Sequence, residues 1–459
     1  MSDQSRPLSL QPQRLSREAR YHPCMAKPIA VLAYSGGLDT SVLLHWLQDN
    51  GWDVAAYTAN LGQPDADLEA AAAKARQLGA VDSFVEDLRG ELVDEFFLPV
   101  LQMHARYEGR YLLGTAIARI PTARGQMRYA KRIGGNVLVH GSTGKGNDQV
   151  RFETIYRVLQ EDPQYTLQDF DIYAPWKEAD FLARFGDGGR RVMAAYSQEH
   201  GIALPTGGTD EGPPYSQDAN VLHISSEGRA LEKPEDDHRQ VMFTYLSRWD
   251  QTPDEPQRVR VHFHKGRPVG AELLDEERNG LGQGIEVKPD ASILPVVEYL
   301  NAVGGRHGVG LLDMVESRYV GLKSRGVYES PAHAILLAAH EDLESLVHDH
   351  RVLNDKAKRA LDVAEAVYQG RWFTQEMDGW LAQNAVEQER VTGWSEVRLF
   401  KGHILPVARS SPHSLYNEEA VSFDTASELY DPRKARGFID IQAVEQQAQM
   451  RQKRSLRGE

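Results

Sequence analysis

A single cysteine, Cys24, occurs among the 459 residues. That excludes an intrachain disulfide framework, a CxxC redox pair and a zinc–thiolate cluster, and it suits a reducing, cytoplasmic compartment. The chain has no apolar run long enough to span a bilayer. Positive charge is not in excess: 52 Lys and Arg against 66 Asp and Glu give a formal charge of −14, which argues against a nucleic-acid partner. The 16 histidines are scattered and none falls in an HExxH pattern, so no resident metal site is read from them. No Ser–His–Asp or Cys–His constellation stands out either. A chain of this length is too long for one ordinary core, so two or three domains are expected.

What is present is concentrated in residues 28–51, where PIAVLAY, SGGLDTS and VLLHWLQDNG follow one another. The apolar run reads as a buried parallel strand. The last part reads as a helix with Leu38, Val42, Leu43, Trp46 and Leu47 on one face and Gly51 closing it. The turn between them is small and polar. Glycines allow close backbone approach, the first amides of a helix point outward, and hydroxyls add donors, so the turn is an anion site. It lacks the longer Gly-Lys-Ser/Thr ending of a Walker A loop. It resembles the SGGxDS loop of the PP-loop ATP pyrophosphatases, which hold the β,γ-pyrophosphate of ATP and leave the α-phosphate open to attack.

DVAAYTAN, residues 53–60, is a second buried strand, which makes a right-handed βαβ unit. Ligands of such sheets sit at the carboxyl ends of the strands, where the backbone of Ala59 is placed to meet a base. Residues 65–79 read as a helix and VDSFVED as a third strand. LVDEFFLPVLQMHARYEG reads as a helix broken near Pro99. In YEGRYLLGTAIAR, Gly114 and Thr115 open a helix. NVLVH, 136–140, is a further strand running into GSTGKGNDQVRFE, a second glycine-rich loop before a helix. Gly141, Gly144 and Gly146 free its backbone and Lys145 adds positive charge. Asp148 and Arg151 lie near one helix face, so the pair can grip the ammonium and carboxylate of an amino acid.

AYSGGLDTS, YEGRYLLGT and HGSTGKGNDQVRFE together resemble argininosuccinate synthase, with later matches in YSQDANVLHIS, GGRHGVG, VESRYVGLKSRGVYE and SPHSLYNEE. The resemblance covers about residues 28–440. It implies an α/β fold: a doubly wound parallel-sheet, Rossmann-like PP-loop domain, a second α+β synthetase domain and a C-terminal helical arm. The boundaries read as a polar extension at 1–27, the ATP domain at 28–190, the synthetase domain at 191–425 and an oligomerisation arm at 426–459. Met25 is either the natural start or follows a disordered leader. The activity implied is ATP-dependent joining of citrulline and aspartate through a citrullyl-adenylate, with Mg²⁺ riding on ATP and no tightly bound cofactor. A homotetramer is implied as well.

By the same resemblance, Ala33, Tyr34, Ser35, Gly36, Gly37, Leu38, Asp39, Thr40 and Ser41, with Ala59 and Gly141, bind ATP. Tyr111, Asn147, Arg151, Ser216, Ser225, Glu316 and Tyr328 match citrulline positions, and Thr115, Thr143, Asn147 and Asp148 match aspartate positions. No nucleophile is implied; Asp39, Asp148 and Arg151 position and stabilise charge. Asp39 beside phosphates is expected to hold loop amides or a metal-bound water. Ala116 stands where some members have serine, and Ser317 where asparagine is usual, which is expected to weaken local structure. Glutamine-dependent and tRNA-modifying PP-loop enzymes fit less well, since the only cysteine lies in a polar leader and the chain is acidic. A non-catalytic nucleotide sensor on the same fold is the reading from another class.

In the rest of the chain, LPTGGTDEGPPYSQDAN reads as a hinge or substrate loop, RVRVHFHKGRPVGAELL and VRLFKGHILPVARS as hairpins, and residues 331–369 as long helices. ILPVVEYLNAVGG is an amphipathic helix followed by a mobile GGRHGVG. The polar terminal helix either packs on another subunit or frays.

Overall fold

The computed structural model describes residues 28–64, 67–187, 189–203, 215–238, 241–274, 282–422 and 431–458. The expected N-terminal extension, and the connector as far as residue 214, lie outside the described residues.

Strand β1 (Ile29–Ala33) is short, apolar and buried on both faces: Val31 joins one core cluster, Ala30 and Leu32 the other. Helix α1 (Leu38–Asp49) follows and ends at Gly51, whose φ of +85° suits a residue without a Cβ. Then come β2 (Asp53–Asn60), α2 (Leu68–Gln77, with Asp67 accepting from the Ala70 amide) and β3 (Asp82–Asp87). Next, α3 (Arg89–Glu91) passes through a π-helical turn, Leu92–Phe97, into α4 (Leu98–Gln102). The expected break at Pro99 is therefore a change of helical pitch. Proline cannot donate to a carbonyl one turn back, and a π turn just before it accommodates that missing bond without ending the helix. Helix α5 (Gly114–Ile133), β4 (Val137–Val139), α6 (Asp148–Leu159), β5 (Asp171–Tyr173), α7 (Ala179–Phe185) and α8 (Gly189–Glu199) complete the first layer system. The five strands are parallel in the order β3-β2-β1-β4-β5. Strand order reverses between β1 and β4, so the crevice at their carboxyl ends is the place for a ligand. Each of those two strands feeds one of the glycine-rich loops. Met193 and Tyr196 of α8 pack into the core with α1, so this unit's packing runs past the expected boundary at 190.

The second unit has two antiparallel sheets. Strands β6 (Ser216–Asn220) and β7 (His223–Glu227) join β11 (Leu311–Ser317) and β12 (Lys323–Glu329) in the order β11-β12-β7-β6. The other sheet, β10-β9-β8-β13-β14, contains both expected hairpins: β8 (Gln257–His264) with β9 (Arg267–Leu273), and β13 (Gly393–Phe400) with β14 (His403–Ser410); β10 spans Gly284–Glu286. Helices α9 (Leu294–Arg306), α10 (Pro331–Val347), α11 (His350–Tyr368) and α12 (Gln375–Gln388) pack around them. A short α13 (Glu418–Val421) precedes the terminal α14 (Ala435–Leu456), which has no buried residue. One apolar cluster runs from Val31 and Phe96 in the first unit to Leu300 and Leu336 in the second, so the two share a core. No helix among the described residues is long and apolar enough to cross a membrane.

GGRHGVG is packed rather than mobile. Gly304 and Gly305 are buried in the last turn of α9, and a Cβ on Gly305 would lie 2.1 Å from the Tyr245 carbonyl oxygen. These glycines exist to let backbones meet, a use of glycine that composition alone does not separate from flexibility.

Candidate functional site

Residues 34–37 carry the chain from β1 into α1. Gly36 has φ of +79°, and a Cβ there would sit 2.7 Å from the Cβ of Ala71 on α2, so both conformation and space demand glycine. Gly37 is the N-cap and no side chain caps the first turn of α1, which leaves its outward amides for an anion. Ser35 Oγ and Thr40 Oγ1 lie 3.2 Å apart, and Tyr34 and Ser41 share a hydroxyl contact at 3.0 Å. Leu38 is buried and fixes the helix start. Lys74 of α2 donates to the Gly36 carbonyl at 3.1 Å, bringing a cation to the loop that the sequence reading did not single out.

Asp39 holds no loop amide; its carboxylate has no hydrogen bond to the described residues. Its side chain reaches water, yet the protein closes around it enough to raise its pKa, with Arg190 and Arg229 opposing. Of the two expected roles, the first is thus corrected: hydroxyls rather than Asp39 brace the turn. Ala33 ends β1, as expected. Ala59 lies at the end of β2, but its carbonyl already accepts from Gln63 Nε2 at 2.9 Å.

The second loop lies beside the first: a Cβ on Gly141 would be 3.9 Å from Thr40 Cγ2. It borders a cavity of about 240 Å³ between the two units. Tyr111, Thr115, Gly141, Thr143, Asn147, Asp148 and Arg151 line it from the first unit, and Ser225, Glu316 and Tyr328 from the second. Ten of the expected residues, over 200 positions apart at the extremes, therefore converge on one space. Ser216 does not. It is exposed at the start of β6, opposite Glu227 in the β6–β7 register, and does not border the cavity.

Charges in the cavity are paired in an ordered way. Asp148, the first residue of α6, accepts from Arg151 Nη1 at 2.8 Å and from Arg119 Nε at 2.9 Å. Burial works against the charged carboxylate, but the two guanidiniums prevail and bring its pKa down to about 2. Arg119 also reaches Asp218 at 2.5 Å. Arg151 donates from Nε to the Tyr368 carbonyl at 2.8 Å, and its guanidinium stands 4.8 Å from the centre of that ring. Across the cavity Glu316 is buried. Tyr368 donates to its Oε1 at 2.8 Å, while Oε2 has no partner among the described residues. Burial raises the Glu316 pKa, opposed chiefly by the hydrogen bond from Tyr368 and by Arg151. The Thr115 hydroxyl is likewise buried without a partner. Two buried polar groups with free valences at one cavity mark where a ligand completes the structure. Tyr111 and Tyr328 rings pack at 4.6 Å and form an apolar wall.

Arg318 donates to the Lys145 carbonyl at 3.1 Å and to Glu227 at 2.7 Å, tying the second loop to the other unit. At Ser317 the amide donates to Glu108 at 3.0 Å, the carbonyl accepts from Tyr107 at 2.7 Å and the hydroxyl accepts from Lys323 Nζ at 2.6 Å. Ala116 is buried. Arg119, Asp218, Arg318 and Tyr368, which bond to the cavity's side chains or loop, are residues that sequence reading did not single out. Arg119 had a signal, since it lies one helical turn beyond Thr115.

Two family models match the chain: the arginosuccinate synthase N-terminal HUP domain over residues 29–203 and the arginosuccinate synthase C-terminal domain over residues 215–449. The argininosuccinate synthase of Thermotoga maritima is 44% identical over 418 residues, covering 91% of this chain and 96% of the relative. That of Danio rerio is 42% identical over 422 residues, 92% of this chain and 96% of the relative. That of Bos taurus is 42% identical over 419 residues, 91% and 96%. With both halves matched and the two glycine-rich loops side by side at the carboxyl ends of β1 and β4, the chain belongs to the argininosuccinate synthase family.

Proposed function

We propose that this chain joins L-citrulline to L-aspartate at the expense of ATP, giving argininosuccinate, AMP and pyrophosphate, a step of arginine biosynthesis. The carrying observation is the cavity with the turn beside it: a paired Asp–Arg system and a buried carboxylate with a free oxygen at the cavity, and the uncapped N-terminus of α1 next to its Gly141 edge. In this reading the turn at 34–41 takes the β,γ-pyrophosphate on the amides of α1 and the hydroxyls of Ser35, Thr40 and Ser41, with Ala33, Gly36, Gly37 and Leu38 shaping it. Ala59 and Gly141 flank the rest of the nucleotide. Mg²⁺ enters as part of the substrate MgATP, and Asp39 meets its water shell.

Citrulline lies against Tyr111 and Tyr328, with its charged end between Arg151, Asn147, Ser225 and Glu316. Glu316, as an acceptor, suits the ammonium, and Arg151 the carboxylate. Aspartate lies against Thr115, Thr143, Asn147 and Asp148. Asp148 stays ionised at neutral pH and has acceptor capacity beyond its two arginine bonds. The citrulline ureido oxygen attacks the α-phosphorus, and the bond to pyrophosphate breaks. The free amine of aspartate then attacks the activated ureido carbon, and the C–O bond to AMP breaks with loss of the amine proton. No side-chain nucleophile takes part; the protein's contribution is alignment and charge stabilisation.

The reading extends to a cytoplasmic homotetramer. Phe438, Ile439, Ile441 and Val444 of α14 are exposed in the single chain, which supports a contact with another subunit. Light scattering after gel filtration tests it; a monomer at micromolar concentration rules it out. The activity is tested by pyrophosphate and AMP release from MgATP with citrulline and aspartate added singly and together. Release with formation of argininosuccinate only when both are present is expected. ATP binding without cleavage would overturn the activity and leave a nucleotide sensor.

A further inference from the structure

Tyr368 closes α11, far in sequence from every motif, yet three residues of the cavity depend on it. Its hydroxyl carries one proton. The Glu316 carboxylate can only accept, so Tyr368 donates to Oε1 at 2.8 Å. The hydroxyl must then accept from Asn147 Nδ2, also at 2.8 Å. That fixes the Asn147 amide, whose Oδ1 accepts from the Tyr319 amide at 2.8 Å. The Tyr368 carbonyl takes the Arg151 Nε–H, so the fork of Arg151 is turned toward Asp148. The ring itself is held by a parallel stack on Tyr107, with centroids 3.6 Å apart and planes within 4°. A side chain so constrained has little rotational freedom, and it transmits that constraint to its three partners.

We propose that Tyr368 is a positioning residue that couples the two amino-acid subsites, its hydroxyl aligning Glu316 and Asn147 and its main-chain carbonyl aligning Arg151. The proposal rests on the reading of this cavity as the citrulline and aspartate site. It makes one oxygen atom the link between the acceptor on the second unit and the amide on the first. Glu316 keeps Oε2 for the ligand because Tyr368 occupies Oε1.

The test is Tyr368→Phe, which keeps the stack on Tyr107 and the main-chain carbonyl and removes only the hydroxyl. The KM for citrulline should rise roughly ten- to hundredfold, the usual consequence of losing a hydrogen bond to a charged group. The KM for ATP should stay within about twofold. The hydrogen bond from Tyr368 helps keep Glu316 ionised. Its removal should therefore move the acid limb of kcat/KM for citrulline to higher pH, a change that lost packing alone would not cause. In a Glu316→Gln background the same substitution should have a much smaller effect on citrulline, because the partner is no longer charged. An unchanged citrulline KM and acid limb would overturn the proposal, as would equal losses for all three substrates with a lowered melting temperature. Wild-type enzyme that needs no citrulline for pyrophosphate release would instead sink the functional reading. Wild-type turnover with an unaltered Tyr368→Phe profile sinks only the role of Tyr368.

Discussion

Asp148→Asn is the perturbation with the most divided consequences. The side chain keeps its shape and loses its charge. Arg119 keeps Asp218 as a partner and Arg151 keeps the Tyr368 carbonyl, so neither guanidinium is stranded. Lowering the Asp148 pKa from 3.8 to about 2 corresponds to roughly 2 kcal/mol favouring the charged form in the folded chain. The carboxylate is about a quarter exposed, so the figure is an upper value. Because the folded pKa is depressed, that stability is present above pH 3.8 and is lost as pH falls toward 2. Wild type and variant should therefore differ in urea midpoint at neutral pH and converge as pH falls through that window. In catalysis the loss should fall on aspartate, whose ammonium loses a charged acceptor. A penalty on the order of 1.5–3 kcal/mol is a rise of about 10- to 150-fold in the aspartate KM. The assay is steady-state pyrophosphate release with aspartate varied at saturating ATP and citrulline, beside ATP-analogue binding by calorimetry. Equal weakening of ATP and aspartate would refute the assignment, since it would mean that Asp148 serves the cavity's structure and not one ligand.

Other substitutions separate the remaining parts of the site. Arg151→Lys keeps charge but cannot serve Tyr368, Asp148 and a substrate carboxylate at once; citrulline binding by calorimetry should weaken by roughly 1–3 kcal/mol. Glu316→Gln should weaken citrulline binding yet stabilise the free protein. Burial raises this carboxyl's pKa above 4.5, so wild-type stability is fully present below that value and lost as pH rises through the raised one, a loss that urea titrations of the glutamine variant should not show. Gly114→Ala would set a Cβ 2.2 Å from that of His223, and overpacking of this kind costs about 1–3 kcal/mol, read from the urea midpoint.

What could be read from the sequence was what is local. The turn at Ser35–Ser41 lies between a five-residue apolar strand and an amphipathic helix, and every residue that shapes it is within a few positions. Asp148 and Arg151 are one turn apart on one helix, so their contact follows from spacing alone. Arg119 with Asp218, 99 positions apart, and Asn147 with Tyr368, 221 apart, are closed only by tertiary packing. Nothing local to Asp218 or Tyr368 points to the partner each one meets. The misreading of GGRHGVG has the same source: glycine permits motion and also permits close contact, and only the Tyr245 carbonyl at 2.1 Å from a would-be Cβ decides between them. Ser216 stands apart: its assignment came from resemblance, and in the unliganded chain it is exposed at the start of β6, outside the cavity lining.

The free oxygen on Glu316 and the free hydroxyl on Thr115 have a common consequence. A buried polar group without a partner costs stability, of order 1–3 kcal/mol each, in the unliganded chain. They face the cavity from opposite units, and in the proposed reading citrulline meets Glu316 and aspartate meets Thr115. Each amino acid that supplies a missing partner favours the arrangement in which the units are closed on each other. Arg318, anchored to the Lys145 carbonyl and Glu227, and Tyr368, shared between Asn147 and Glu316, already hold that arrangement across the same seam. In the proposed reading the cost is localised where substrate binding removes it, and the bonds that span the seam hold the two amino-acid subsites side by side.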